Sequence, residues 1–172
     1  MVRQQSRVLA ASTIGTLVVL GVVSYVVLAP DPSDLTAPPW WLLVAQALAG
    51  VALHLLLDAV GYRTPAVRPG TPPEEAQRAG VAVYTSRTVV RLALSETVAL
   101  VSLALAFAGD AEDWPGYVTG ALVSVALLVV HVWPWSRPVD RTRASLERDG
   151  ARVPLREAFG LEPKLTGPIQ EL

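Results

Sequence analysis

Residues 8–28 read VLAASTIGTLVVLGVVSYVVL, an uninterrupted run of 21 residues without a charged side chain. A helix rises about 1.5 Å per residue, so a run of this length can cross a hydrocarbon core of about 30 Å. Residues 40–60, 88–108 and 115–133 are also long and apolar enough to cross this core. Segments rich in Pro, Gly and Asp separate the spans. The sequence therefore predicts an all-α, polytopic membrane protein with four transmembrane helices.

The composition agrees with helices in lipid and limits the chemistry that is available. The chain has 172 residues, of which 52% are hydrophobic, and most of the apolar mass is Ala, Val and Leu. It contains no cysteine, which excludes disulfides, thiolate metal sites, thiol catalysis and palmitoyl anchors. With only two histidines in addition, we expected no transition-metal site and no cofactor.

The cationic residues outside the predicted spans all fall on one side of the membrane. Two precede the first span, four lie between the second and third, seven follow the fourth, and the two short loops contain none. Cytoplasmic loops retain Arg and Lys, so both termini are predicted in the cytoplasm of a bacterial inner membrane. Residues 1–135 then form a transmembrane domain of two hairpins joined by a cytoplasmic loop at 61–86, and residues 136–172 form a basic amphipathic cytoplasmic tail.

Two alternatives concern the organisation of the spans. One alternative is that the first span is a cleaved signal peptide, because Val27-Leu28-Ala29 resembles a cleavage site. A proline directly after the cut is unfavourable, and the run exceeds the ~7–15 residues of a signal core, so an uncleaved anchor is favoured. An ungapped offset of 80 residues also suggests that the two hairpins are related, and a true repeat remains a hypothesis.

Few ionisable side chains fall inside the predicted spans, and each costs about 2.5–3.5 kcal/mol at the centre of the bilayer. They are His54, Asp58, Arg91, Glu96 and, near the inner interface, His131. Matching depths predict that Arg91 pairs with Asp58 and that Glu96 pairs with His54. Glu96 is the deepest and is the candidate for proton binding, whereas His131 is expected to have no ligand role.

Small residues recur at intervals of four on the predicted helices. Gly116, Gly120 and Ser124 do so on the fourth helix, and Ala45 and Ala49 do so on the second. Small side chains let another helix backbone approach closely. We therefore expect helix-packing faces there, some of which could serve a homo-oligomer or a membrane protein partner.

The parts predicted to be cytoplasmic contain short helices. Residues 61–86 are expected to form a flexible loop with one short helix at 73–79, ended by Gly80. In the tail, helices are predicted at 137–149 and 154–159, each followed by glycine. The tail can lie on anionic lipid, dock against the inner loop or remain solvated. Its acids balance its arginines, so nucleic acid is not an expected partner.

The opening of the third helix and the segment after the fourth carry a resemblance to known proteins. The residues are Ser86, Arg87, Arg91, Ala93 and Glu96, followed by Trp133-Pro134. This pattern resembles uncharacterised four-helix membrane proteins of actinobacterial type, which implies the fold and no activity. Around Glu96 the helix is also similar, over about ten residues, to the carboxyl-bearing helix of rotary ATPase proteolipid subunits and to small multidrug transporters. It lacks the glycine-rich packing face of the proteolipids.

No enzyme motif is present: the chain has no phosphate-binding loop, no nucleophile elbow and no His-Glu-x-x-His. The sequence therefore favours a non-enzymatic integral membrane protein that acts by association, as an accessory subunit or a small homo-oligomer. The alternative is a proton- or ion-coupled small transporter or channel that uses Glu96.

Overall fold

The computed structural model describes residues 2–28, 36–108 and 114–162, which are helical and contain no strand. The helices are α1 (Val2–Leu28), α2 (Trp40–Val60), α3 (Pro73–Ala108), α4 (Trp114–His131), α5 (Ser136–Leu146) and α6 (Leu155–Ala158). The first four are long and apolar enough to cross a membrane. Each contains one predicted span, except that α4 ends two residues early, at His131.

Helix α3 is much longer than predicted, since it has 36 residues and runs without a break through Gly80. The prediction of a flexible loop at 61–86 with a helix ended by Gly80 is therefore wrong, and only residues 61–72 lack helix. Glycine occurs at position 80 because the tail packs closely there. A Cβ atom on Gly80 would lie 2.8 Å from Val153 Cγ1 and 3.4 Å from Leu155 Cδ1.

Helices α3 and α4 form the centre of the bundle, and α1 and α2 each pack on both of them rather than chiefly on each other. Helix α1 is fastened to α4 by two hydrogen bonds to its backbone. The Tyr117 hydroxyl donates to the Leu17 carbonyl at 2.6 Å, and Trp114 Nε1 donates to the Gly21 carbonyl at 2.9 Å. Two side chains of α4 thus anchor the backbone of α1.

Helix α2 is held by the amide of Gln46, which is buried between three helices. Its Nε2 atom donates to Ser102 Oγ at 2.9 Å and to the Gly116 carbonyl at 2.8 Å. Its Oε1 atom accepts from the Thr119 hydroxyl at 2.6 Å. An unpaired amide costs several kcal/mol in an apolar medium, so this network makes a polar side chain tolerable here and links α2 to α3 and α4.

The tail docks against the first part of α3 and builds a second apolar core. Its buried members are Ala76, Tyr84, Val139, Leu146, Val153, Leu155 and Phe159. Val2, at the start of α1, also packs against this core. We call the end of the bundle that holds this core and the arginines of α5, Arg137, Arg141 and Arg143, the arginine-rich end. The tail therefore docks against the segment between α2 and α3 and the first part of α3, as one of the alternatives expected.

The tail helices are shorter than predicted. Helix α5 ends at Leu146 instead of 149, and α6 has four residues. The glycines that were expected to end them, Gly150 and Gly160, have φ angles of 89° and 61°. Positive φ is easily adopted by glycine only, so these residues turn the chain and allow the tail to fold back onto α3.

Candidate functional site

The last turns of α2 and the last residue of α4 bring His54, Asp58 and His131 together at the arginine-rich end. We call these three residues the His–Asp cluster. His54 and Asp58 are four positions apart and therefore share a face of α2. One potential ligand atom from each residue lies within 4.8 Å of the others. The cluster joins residues that are separated by up to 77 positions in the sequence.

Hydrogen bonds connect the two histidines to a tyrosine. His54 Nδ1 lies 2.9 Å from His131 Nε2, and the Tyr62 hydroxyl lies 2.9 Å from His131 Nδ1. The second nitrogen of His54 faces Asp58 Oδ2 at 3.9 Å. The His131 ring is completely buried, whereas the His54 side chain is 37% exposed. The chain of polar groups therefore runs from the protein interior to the surface of the bundle.

Tyr62 remains protonated at neutral pH. Burial raises the pKa of its phenol to about 12, because desolvation disfavours the phenolate more than the nearby Arg91 and Arg137 stabilise it. A protonated hydroxyl can donate to His131 Nδ1 or accept from it, depending on the tautomer of the ring. In either case it fixes the orientation of the imidazole and leaves Nε2 directed toward His54.

Asp58 does not pair with Arg91, and that prediction is wrong. Its carboxylate accepts from Arg137 Nη2 at 3.0 and 3.2 Å and from Arg141 Nη2 at 3.3 Å. Both arginines lie on α5, which folds back beneath the end of α2. Matching depth along the helix axes could not reveal this, since the real partners come from a segment that was predicted to lie outside the bundle.

Arg91 is completely buried and has aromatic neighbours in place of a carboxylate. Its guanidinium carbon lies 4.7 Å from the ring centre of Tyr62 and 4.9 Å from that of Tyr84. Its Nη atoms donate to the hydroxyls of Thr88 at 2.7 Å and Thr142 at 3.4 Å. The planar cation stacks on aromatic faces and joins the end of α2 to α3 and α5.

Glu96 does not meet His54, so the second predicted pair is also wrong. His54 is bonded to His131 instead. Glu96 is half-buried on α3, and it has no hydrogen-bond or ion-pair partner in the part of the chain that the structure describes. By helical spacing it shares a face with Leu92, Ala99 and Leu103, which pack in the same apolar core as residues of α1.

The small residues of α4 contact helices of the same chain. A Cβ atom on Gly116 would lie 2.8 Å from Leu42 Cδ2, and one on Gly120 would lie 2.6 Å from the Cβ atom of Ser102. Ser124 is fully buried, and its hydroxyl accepts a hydrogen bond from the backbone N–H of Ala99 at 2.9 Å. These three residues thus determine how closely α2 and α3 approach α4.

A groove of about 460 Å³ separates α2 from α3 on the outside of the bundle. We call it the α2–α3 groove. Its walls are lined by Leu42, Ala45, Gln46, Ala49, Ala52, Leu53, Leu56, Thr97, Val98, Val101, Ser102 and Leu105. Of the three polar side chains in this lining, Gln46 and Ser102 bond to each other, and Thr97 donates its hydroxyl to the Ala93 carbonyl at 3.2 Å. The groove is therefore an apolar concavity on a face that is suited to contact with lipid or another helix.

Two important polar residues, Tyr62 and Gln46, were not considered from the sequence. For Gln46 a signal existed, since it is the single amide side chain in the four predicted spans. For Tyr62 none existed. His131 was noticed as an ionisable residue near the interface, but its contacts depend on which helix faces which.

Comparison of the chain with protein-family models, with curated proteins and with solved structures found no match. The function must therefore be argued from the residues of the chain. The His–Asp cluster and the α2–α3 groove are the two features that offer a chemical or an associative role.

Proposed function

We propose that this chain is a multi-pass protein of the bacterial cytoplasmic membrane that acts by association with another transmembrane helix, from a second copy or from a different subunit. The observation that carries the proposal is the α2–α3 groove. In this arrangement both termini, residues 61–72 and the docked tail lie in the cytoplasm, and the arginine-rich end faces anionic lipid headgroups.

The size and lining of the groove suit a helix. Between helices in lipid, apolar surface provides no hydrophobic driving force, so association depends on close packing, and small side chains allow it. Ala45, Ala49 and Ala52 form such a surface on one wall, and Val98 and Val101 on the other offer branched side chains for interdigitation. A helix with bulky residues would replace loosely packed lipid chains with fixed van der Waals contacts.

The same lining does not suit a hydrated substrate. A polar solute in the membrane needs hydrogen-bonding partners for the water it loses, and the groove offers few free ones. The amide of Gln46 is saturated by Ser102, Gly116 and Thr119. Association therefore explains the groove better than passage of a solute along it.

Cysteine cross-linking in native membranes tests the proposal, and the chain is suited to it because it has no cysteine of its own. Ala49→Cys places a thiol in the groove. Val19→Cys is the matched control, because Val19 is 60% exposed on α1 and does not line the groove. We expect a bifunctional thiol reagent or a thiol-attached photoprobe to join Ala49→Cys to a second polypeptide and to leave Val19→Cys monomeric.

The products distinguish the possible partners. A cross-linked product at twice the monomer mass identifies a second copy, and a product of another mass identifies a different subunit. Ala49→Phe should abolish either product, because the added ring fills the groove, whereas Val19→Phe should not. Since position 49 then carries phenylalanine, cross-linking in this variant is detected from a cysteine introduced elsewhere on α2. Equal cross-linking from both positions, or survival of the product in Ala49→Phe, would contradict association through the groove.

Ion-coupled transport is the second candidate, and one observation favours it: Glu96 is half-buried without a partner among the described residues. A carboxyl group in such surroundings can bind and release a proton, provided that water reaches it. Glu96→Gln in proteoliposomes tests this, since a transporter loses proton flux while keeping its fold. An associating protein shows no flux in either form.

A further inference from the structure

We propose that His54, Asp58 and His131 bind a divalent transition-metal ion of the zinc class at the junction of α2 and α4. Two imidazoles and one carboxylate form a ligand set that Zn²⁺ and similar ions accept, with a fourth position left for water. His54 and Asp58 are one helical turn apart, so a single ion can reach both. Bridging to His131 would join α2 to α4.

The distances are close to those that a metal requires. Around a tetrahedral ion with bonds of 2.0–2.2 Å, ligand atoms lie roughly 3.4 Å apart. In the cluster one potential ligand atom from each residue lies within 4.8 Å of the others, and His54 Nδ1 and His131 Nε2 are 2.9 Å apart. The Asp58 oxygens face the other nitrogen of each ring, at 3.9 Å from His54 Nε2 and 4.0 Å from His131 Nδ1. Binding therefore requires the partly exposed His54 and Asp58 side chains to rotate toward His131 Nε2, while the buried His131 stays fixed.

Tyr62 supplies the supporting contact that histidine ligands usually have. A metal-bound imidazole generally bonds through its other nitrogen to a neighbouring group, which fixes the tautomer and the ring orientation. The Tyr62 hydroxyl occupies this position on His131 Nδ1 at 2.9 Å. With Nδ1–H donated to Tyr62, His131 directs the lone pair of Nε2 toward His54 and into the cluster.

An ion can reach the cluster from the surface of the bundle. The His54 side chain is 37% exposed and that of Asp58 is 23% exposed. Two of the three ligands are therefore accessible, and the buried third one is adjacent to them.

Arg137 and Arg141 compete with the metal for Asp58. Both guanidinium groups donate to its carboxylate, and their positive charges repel a divalent cation. Binding requires at least one of them to swing away, as their 38% and 45% exposure allows. Removing one arginine should therefore strengthen metal binding, which a purely structural cluster of hydrogen bonds and ion pairs does not predict.

The test uses the full chain, purified in detergent without a polyhistidine tag. It is titrated with Zn²⁺, followed by calorimetry, and with Co²⁺, followed by visible absorption. We expect one ion per chain. His54→Ala and Asp58→Asn should bind at least 100-fold more weakly, and Tyr62→Phe about tenfold more weakly, as is typical when a supporting contact is lost. Arg141→Gln should bind several-fold more tightly than the wild type.

Asp140→Asn is the matched control, because Asp140 also pairs with an arginine of the tail, Arg156, but lies outside the cluster. It should bind as the wild type does. Binding by His54→Ala that equals the wild type, or equal losses in Asp58→Asn and Asp140→Asn, would mean that the ion binds elsewhere. If neither the wild type nor Arg141→Gln binds Zn²⁺ or Co²⁺, the inference is overturned.

Discussion

Gly120→Ala tests the packing at the centre of the bundle with the smallest possible change. The new methyl group would lie 2.6 Å from Ser102 Cβ, closer still to Ser102 Oγ, and 3.2 Å from Gln46 Nε2. Ser102 extends directly from the backbone of α3 and cannot move away by a simple rotation of its side chain. Helices α3 and α4 must therefore separate, or the hydrogen bond from Gln46 to Ser102 must break.

The expected loss of stability follows from three contributions. Overpacking of a well-packed site costs about 1–3 kcal/mol. Loss of the 2.9 Å hydrogen bond from Gln46 to Ser102 costs about 1 kcal/mol more. Replacing glycine by alanine in a helix returns about 1 kcal/mol. We therefore expect Gly120→Ala to lower the free energy of unfolding by about 1–3 kcal/mol.

Equilibrium unfolding in mixed detergent micelles, followed by circular dichroism, measures this difference. Gly15→Ala is the matched control, because no atom beyond its chain neighbours and the backbone of its own helix lies within 4 Å of the Cβ position of Gly15. It should be as stable as the wild type or slightly more stable. The double variant Gly120→Ala/Ser102→Gly removes the clashing atoms, so Gly120→Ala should cost about 1–2 kcal/mol less in that background.

The outcome that would refute the reasoning is a Gly120→Ala protein as stable as Gly15→Ala. An undiminished cost of Gly120→Ala in the Ser102→Gly background would also refute it, because the loss would then arise from a contact other than Ser102.

Three further predictions concern the arginine-rich end and the topology. Gly80→Leu should release the tail, since its side chain would collide with Val153, and limited proteolysis should then cut the tail while α3 remains intact. Arg91→Lys should lower the free energy of unfolding by about 2 kcal/mol in the micelle assay, because the compact ammonium group loses its stacking on two tyrosine rings. An impermeant thiol reagent should label Thr36→Cys in intact spheroplasts, but Glu74→Cys only after permeabilisation, and the reverse pattern would invert the topology.

Much of the fold was accessible from the sequence because hydropathy is a local property. Residues 40–60 were predicted as a span and form α2 with the same bounds. The charge pattern also grouped the N-terminus, residues 61–86 and the tail on one side, and in the structure Val2, Val67 and the tail meet in one apolar core. Gly80 was misjudged, because a glycine that ends a helix and one that admits a neighbouring side chain look alike in a sequence.

The candidate sites were less accessible, because depth is only one of the coordinates that decide a contact. His54 and Glu96 have similar depths, yet His54 meets His131, since rotation about each helix axis and the choice of neighbour decide the rest. The partner of Asp58 likewise could not be inferred from depth, because it comes from a segment that is distant in sequence. Arg137 reaches Asp58 only because α5 folds back under the bundle.

The sequence by itself determined that four apolar helices exist, where each of them ends to within two residues, and where α2 and α4 begin. A run of side chains suited to lipid can be recognised without knowing its neighbours in the fold. The tertiary structure alone decided which polar groups meet. In an apolar interior an unpaired polar group is costly, and steric fit at Gly116, Gly120 and Ser124 determines which helices come close enough to supply a partner. The His–Asp cluster is a product of that packing.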